Sequence, residues 1–105
     1  MSQQAENAVV RSCLAILKVR GVYAFRVTNR AVKGKTGWFF HGTHGISDIL
    51  GVLPGGRIIA VECKTATGKT TPAQDLFLNE IAKKGGLTYV ARSGSELNDF
   101  LDSLE

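Results

Sequence analysis

The sequence predicts a single α/β domain with a mixed central β-sheet flanked by helices, in the order α-β-β-β-α-β-α. Three observations carry this. Apolar residues recur at helical spacing near both ends of the chain. Two apolar, β-rich runs flank Pro54-Gly55-Gly56, the pattern of a hairpin. Thr71-Pro72-Ala73-Gln74 opens a helix ahead of one more β-rich run, Leu87 to Ala91. With 105 residues there is room for one core and little for a second module.

Taken in order, Ser2 to about Val19 is an amphipathic helix with Ala5, Val9, Cys13, Ile16 and Leu17 near one face, stopped by Gly21. Val22 to Thr28 is β-rich. Asn29 to Gly45 is a long, basic connection rich in Gly and Thr, with room for a short strand at Trp38-Phe39-Phe40. Long connections in small domains are often functional. Asp48 to Leu53 and Arg57 to Lys64 are strands around the Pro-Gly-Gly turn, and Thr65 to Thr70 is a polar loop. Thr71 is the N-cap of the next helix, Pro72 its first residue and Gln74 the capping-box partner. That helix runs to about Lys84 and stops at Gly85-Gly86. After the strand Leu87 to Ala91, Ser95 is expected to cap a last helix through Leu104, with Leu97, Phe100, Leu101 and Leu104 inward.

The chain carries a formal net charge of +4, unevenly spread. From Asn7 to Ser47 there is no acid but seven bases: Arg11, Lys18, Arg20, Arg26, Arg30, Lys33 and Lys35. From Ser93 to Glu105 the pattern reverses, with Glu96, Asp99, Asp102 and Glu105 and no base. A basic half suits a polyanion, and solvated helix faces and loops explain it equally well. No apolar run is long enough to span a membrane, and Met1 to Glu6 lacks the apolar core of a signal peptide. Cys13 and Cys63 sit in apolar settings, which suggests reduced thiols and a cytoplasmic compartment.

The chemistry concentrates on the hairpin. A three-residue loop at Pro54-Gly55-Gly56 pairs Leu53 with Arg57, so Val52 meets Ile58, Leu50 meets Ala60 and Asp48 meets Glu62. Side chains alternate along a strand, so Lys64 shares the face of Glu62. Opposed residues have Cβ atoms roughly 4.5–5.5 Å apart, and two carboxylates that close repel. A divalent cation relieves the repulsion: magnesium binds oxygen at about 2.0–2.1 Å, often through one or two carboxylates with water and phosphate filling the rest. Held there, it would polarise a phosphodiester and acidify a bound water. Lys64 would orient that water or stabilise charge growing on the phosphate. The alternative is a solvated acid pair at the strand ends, with Lys64 as a plain ion-pair partner.

At these residues the chain resembles the PD-(D/E)xK nuclease superfamily, and more narrowly its small stand-alone VRR-NUC (virus-type replication-repair nuclease) domains. The matching residues are Gly45-Ile46-Ser47-Asp48, Val61-Glu62-Cys63-Lys64, Thr71-Pro72-Ala73-Gln74 with Phe77, and the closing Tyr89-Val90-Ala91-Arg92. Ser47 stands where the superfamily's nominal pattern has Pro. The resemblance implies a restriction-endonuclease-like fold and a DNA nuclease using magnesium, with manganese as a substitute. It implies metal ligands at Asp48, Glu62 and Cys63, and catalytic residues Asp48, Glu62, Lys64, Glu6 and Gln74. Glu6 is otherwise an ordinary helix-start acid, and Gln74 is otherwise only the capping partner of Thr71. Similar small proteins are Holliday-junction resolvases acting as homodimers, found in bacteria and their phages. Symmetric cutting of two strands needs two copies of a one-site chain. The Trp38-Phe39-Phe40 cluster is a candidate dimer surface or core. Rival functions are the same chemistry on a flap, nick, end or single strand, and a non-catalytic DNA-binding module.

DNA contacts are expected mostly at phosphates, from Arg26, Asn29, Arg30, Lys33, Lys35 and Lys69, with Lys83 a further donor. No helix looks built to read the major groove, so shape rather than base sequence is the expected target. Gly34-Lys35-Thr36 and Gly68-Lys69-Thr70 lack the earlier Gly of a P-loop, so no nucleotide cofactor is expected. His41 and His44 supply two ligands where a structural zinc needs four.

Overall fold

The computed structural model describes residues 2–28, 30–34 and 37–105, with backbone alone for residues 2, 30–34 and 37–41. Helix α1 (Ser2–Val19) is followed by strands β1 (Tyr23–Arg26), β2 (Arg30–Gly34), β3 (Gly37–His41), β4 (Ile49–Val52) and β5 (Ile58–Cys63). Helix α2 (Pro72–Lys83), strand β6 (Leu87–Ala91) and helix α3 (Gly94–Asp102) complete the chain.

In α1, Val10, Cys13 and Leu17 are buried at spacings of three and four, the stripe a helix presents to a core. Its end is a Schellman motif: Gly21 takes φ +77°, its N–H donates to Lys18 O, and the Val22 N–H reaches back to Leu17 O at 2.9 Å. Helix α2 ends the same way at Gly85, φ +94°. Its start has the expected full capping box, with Thr71 Oγ1 accepting from Gln74 N–H and Gln74 Oε1 accepting from Thr71 N–H.

The main sheet has four strands in the order β1-β4-β5-β6. The first two pairings are antiparallel and β5–β6 is parallel, so α2 is the crossover of a βαβ unit. The hairpin register is the one the turn predicts, with Leu50 opposite Ala60 and Val52 opposite Ile58. Alternation sends Ile49, Ile59, Val61, Cys63, Leu87 and Ala91 to one face, where they form the core with α1 and with Leu97 and Leu101 of α3. Tyr89 stacks on Phe100 there, ring centroids 4.2 Å apart. The opposite face of β5 and β6 carries Glu62 and receives α2.

Three expectations need correction. The connection Asn29 to Gly45 is not mainly loop: β2 and β3 form a two-stranded sheet of their own, with Val32 opposite Phe39. The last helix is capped by Ser93, not Ser95; Ser93 Oγ accepts from Glu96 N–H. A Cβ at Gly94 would lie 2.9–3.1 Å from Ser12, so glycine lets α3 start tight against α1. Leu104 is exposed rather than core. The acidic tail is tied back by Arg20, which bonds Asn98, Asp102 and Glu105 at 2.9–3.0 Å. No described helix is long and apolar enough to cross a membrane.

Gly45 seats the segment before β4 against α2. Its φ is +75°, and a Cβ there would lie 2.2 Å from Ala73 O. Gly45→Ala is therefore expected to cost at least about 3 kcal/mol, from backbone strain and overpacking together. Gly55→Ala, with φ +99° but open space, should cost about 1–2 kcal/mol. Urea unfolding of both variants checks this; equal losses would mean that the contact with Ala73 contributes nothing.

Candidate metal centre

Asp48 precedes β4 by one residue, and its backbone is fixed from several directions. Its carbonyl accepts from Val27 N–H at 2.8 Å, which extends the β1–β4 ladder. Beside it Ser47, 1 % exposed, donates its hydroxyl to Ile49 O at 2.8 Å. The Asp48 carboxylate then turns across to β5, where Oδ2 accepts from the Cys63 N–H at 2.8 Å.

Glu62 lies next to that amide, 2 % exposed in the middle of the sheet. Its Oε2 accepts from Gln74 Nε2 at 2.9 Å and meets Lys64 Nζ at 3.4 Å. Its Oε1 is buried with no hydrogen-bond partner among the described residues. Burial, then the negative charge of Asp48, pushes the Glu62 carboxyl from the usual 4.5 up to about 7, with Lys64 pulling the other way. A buried charge with an unsatisfied oxygen costs several kcal/mol unless something neutralises it.

A divalent cation, which the chemistry of paired acids invites, fits these residues. The orphaned Glu62 Oε1 is an open ligand position, and the Asp48 carboxylate lies beside it with Oδ2 on the Cys63 N–H. In a strand the N–H and C=O of one residue point the same way, so the Cys63 carbonyl also faces Asp48. The Cys63 thiol does not: it is fully buried on the core face, and a hydrogen bond with Cys13 and burial both raise its pKa. Any Cys63 ligand is thus the backbone oxygen. No group of three or more His, Cys, Asp or Glu side chains gathers among the described residues.

Gln74 caps α2, its Oε1 accepting from Thr71 N–H, and its Nε2 donates to Glu62 Oε2. Glu6 is half-buried on α1, makes no described hydrogen bond or ion pair, and does not join Asp48 and Glu62 in a three-ligand group. Arg26 lies beside Asp48, whereas Lys69 is exposed in the loop after β5 and Lys83 pairs with Glu80. Asn29 and Lys35 lie outside the described residues, as do the side chains of Arg30, Lys33, Trp38, Phe39, Phe40 and His41. Sequence reasoning missed the Cys63 amide as the holder of Asp48. It also missed Arg92, whose Nη1 donates to Thr65 O and Gly68 O at 2.6 and 2.7 Å and pins the loop after Lys64. Only the position of Arg92 just beyond the last strand hinted at this.

The family model described as the VRR-NUC domain matches residues 29–95. No curated protein and no solved structure matches the chain.

Between about pH 4.5 and 7 the folded chain binds a proton at Glu62 more tightly than the unfolded chain. The resulting stability is full below about 4.5 and is lost as pH rises through about 7. Metal-free protein should lose urea stability across that window, and Glu62→Gln should lack the loss. Above it, magnesium at a hundredfold excess over its Kd should restore about 2.7 kcal/mol to the parent and little to Glu62→Gln. Equal restoration in both would exclude Glu62 as a ligand.

Proposed function

The chain belongs to the VRR-NUC family of the PD-(D/E)xK nuclease superfamily, and from that premise we propose a magnesium-dependent DNA endonuclease with Asp48, Glu62 and Lys64 as its catalytic residues. Membership implies a nuclease with DNA as substrate. The observation that carries the site assignment is the orphaned Oε1 of buried Glu62, beside Asp48 and in contact with Lys64 through its other oxygen.

The roles follow from position. Asp48, Glu62 and the Cys63 carbonyl hold the cation, which supplies charge neutralisation and polarisation at a phosphodiester. Lys64 is 8 % exposed, so its ammonium acts in a poorly solvated setting where a fixed charge is worth more than in water. It stabilises negative charge growing on the phosphate oxygens, or orients the attacking water. Gln74 is a positioning residue that fixes Glu62 Oε2 and leaves Oε1 open. Manganese, with similar oxygen preference, substitutes for magnesium. Glu6, on α1, is a further acidic contributor to the site, as the family likeness implies. Arg26, Asn29, Arg30, Lys33, Lys35 and Lys69 contact DNA phosphates.

The preferred substrate is a branched structure such as a Holliday junction, cut by a homodimer. Support comes from the family likeness and from stoichiometry: one site per chain cuts one strand, and symmetric paired cuts need a two-fold assembly. The same site would serve a flap, nick or end.

Labelled four-way junction, flap, linear duplex and single strand incubated with magnesium separate these possibilities. Junction cleavage with a dimer mass in solution is the expected result. Equal cutting of linear duplex removes the junction preference, and intact binding without any cleavage favours a non-catalytic module. Asp48→Ala and Glu62→Ala should each lower kcat at least about 10³-fold, and Lys64→Ala about 10²–10³-fold. Parental activity in Glu62→Ala would refute the assignment.

A further inference from the structure

An open cleft of about 460 Å³ adjoins Asp48, lined by Gln3, Arg26, Val27, Thr28 and Ile46. It lies where the start of α1 meets the end of β1. Arg26 is opposite Ile49 in the ladder, so its side chain leaves the sheet on the α1 side. There its Nη2 donates to Asn7 Oδ1, and Gln3 Nε2 donates to the same oxygen at 3.4 Å.

How Arg26 is held separates it from other arginines. Arg20 is neutralised by Asp102 and Glu105. Arg57 and Arg92 are committed to backbone carbonyls. Arg26 is exposed and oriented by a neutral amide, and it forms no ion pair with a described carboxylate, Asp48 included. A guanidinium has five N–H donors, and only one described bond is spent. The side chain is thus aimed while its full charge remains available. Asp48 is the one acid on the cleft wall, and Cys63 N–H already occupies its Oδ2.

We propose that this cleft binds one backbone phosphate of the DNA strand being cut, a neighbour of the phosphate at Asp48 and Glu62, with Arg26 as its clamp and Asn7 as the residue that positions Arg26. This rests on the nuclease function proposed above. The chemistry is that of a fixed, planar cation with free N–H donors, suited to phosphate oxygens. Thr28 and the Gln3 amide add neutral donors at the rim. The contact carries no base information and sets which linkage falls at the metal centre.

The test uses the intact protein and a DNA that it cuts, with single linkages made neutral in turn by methylphosphonate substitution. Single-turnover cleavage and equilibrium binding are measured for the parent, Arg26→Gln and Asn7→Ala. Neutralising one particular linkage near the cut should slow the parent about 10- to 100-fold, the range for a charge-assisted hydrogen bond. Arg26→Gln should lose a similar factor on ordinary DNA and nothing further on that neutral linkage. Asn7→Ala should lose less, since the charge remains. Multiplicative losses at every linkage, or parental behaviour of Arg26→Gln in both assays, would overturn the proposal. If the parent cuts no DNA, yet its binding shows this paired dependence on Arg26 and one linkage, the cleft stands as a phosphate site and the nuclease function falls.

Discussion

The desolvation of one carboxylate governs this molecule. Glu62 is 2 % exposed near the C-terminal end of β5, a central strand covered on both faces. Its neighbours satisfy one oxygen and leave the other bare. Such an arrangement is costly in the absence of a counter-charge. A protein selected for stability alone would place an aliphatic residue here, as it does at Val61 and Ala60 on the same strand. The unsatisfied oxygen is what the proposed cation would neutralise, and the raised pKa of Glu62 reflects the same burial.

The rest of the fold serves to hold that carboxylate and its partners in place. Antiparallel pairing of β4 and β5 brings Asp48 alongside, and the Cys63 amide locks it. The parallel crossover through α2 returns Gln74 to Glu62, so a helix cap and a site contact share one side chain. Glycine at position 45 lets the incoming segment touch the first turn of α2, linking the two routes to the site. Sites built on strands and helices keep their geometry better than sites built on loops. Here Asp48 and Lys64 each lie one residue outside a strand: Asp48 is tied by backbone and side-chain bonds on both sides, and the Lys64 N–H donates to Ala91 O.

Much of this was legible in the sequence, for physical reasons. The Pro54-Gly55-Gly56 turn fixed the hairpin register, because side-chain alternation admits no slip of one residue in a buried strand. The Thr71-Pro72 start announced α2, since capping chemistry is local. Less was legible where contacts join distant segments. Asp48 lies one residue beyond the ladder, so alternation did not reveal that its carboxylate turns to the Cys63 amide. The grip of Asn7 on Arg26 joins the start of α1 to the end of the next strand, 19 residues on, and no local pattern marks it. A short strand at Trp38-Phe39-Phe40 was legible, but β2 and its pairing with β3 were not, because the strands are short and glycine-bounded, with composition closer to loop than to core strand. Ser93 and Ser95 are equally good caps by residue type; the approach of Gly94 to Ser12 distinguishes them, and that is tertiary.

The most direct measurement is an anomalous difference map from crystals soaked in manganese. If Glu62 carries its open oxygen for a cation, the map will show a peak about 2.0–2.2 Å from Glu62 Oε1, shared with Asp48 and lost in crystals of Asp48→Asn. An empty map between these two acids, or manganese bound only to other side chains while Glu62 Oε1 stays bare, would contradict it.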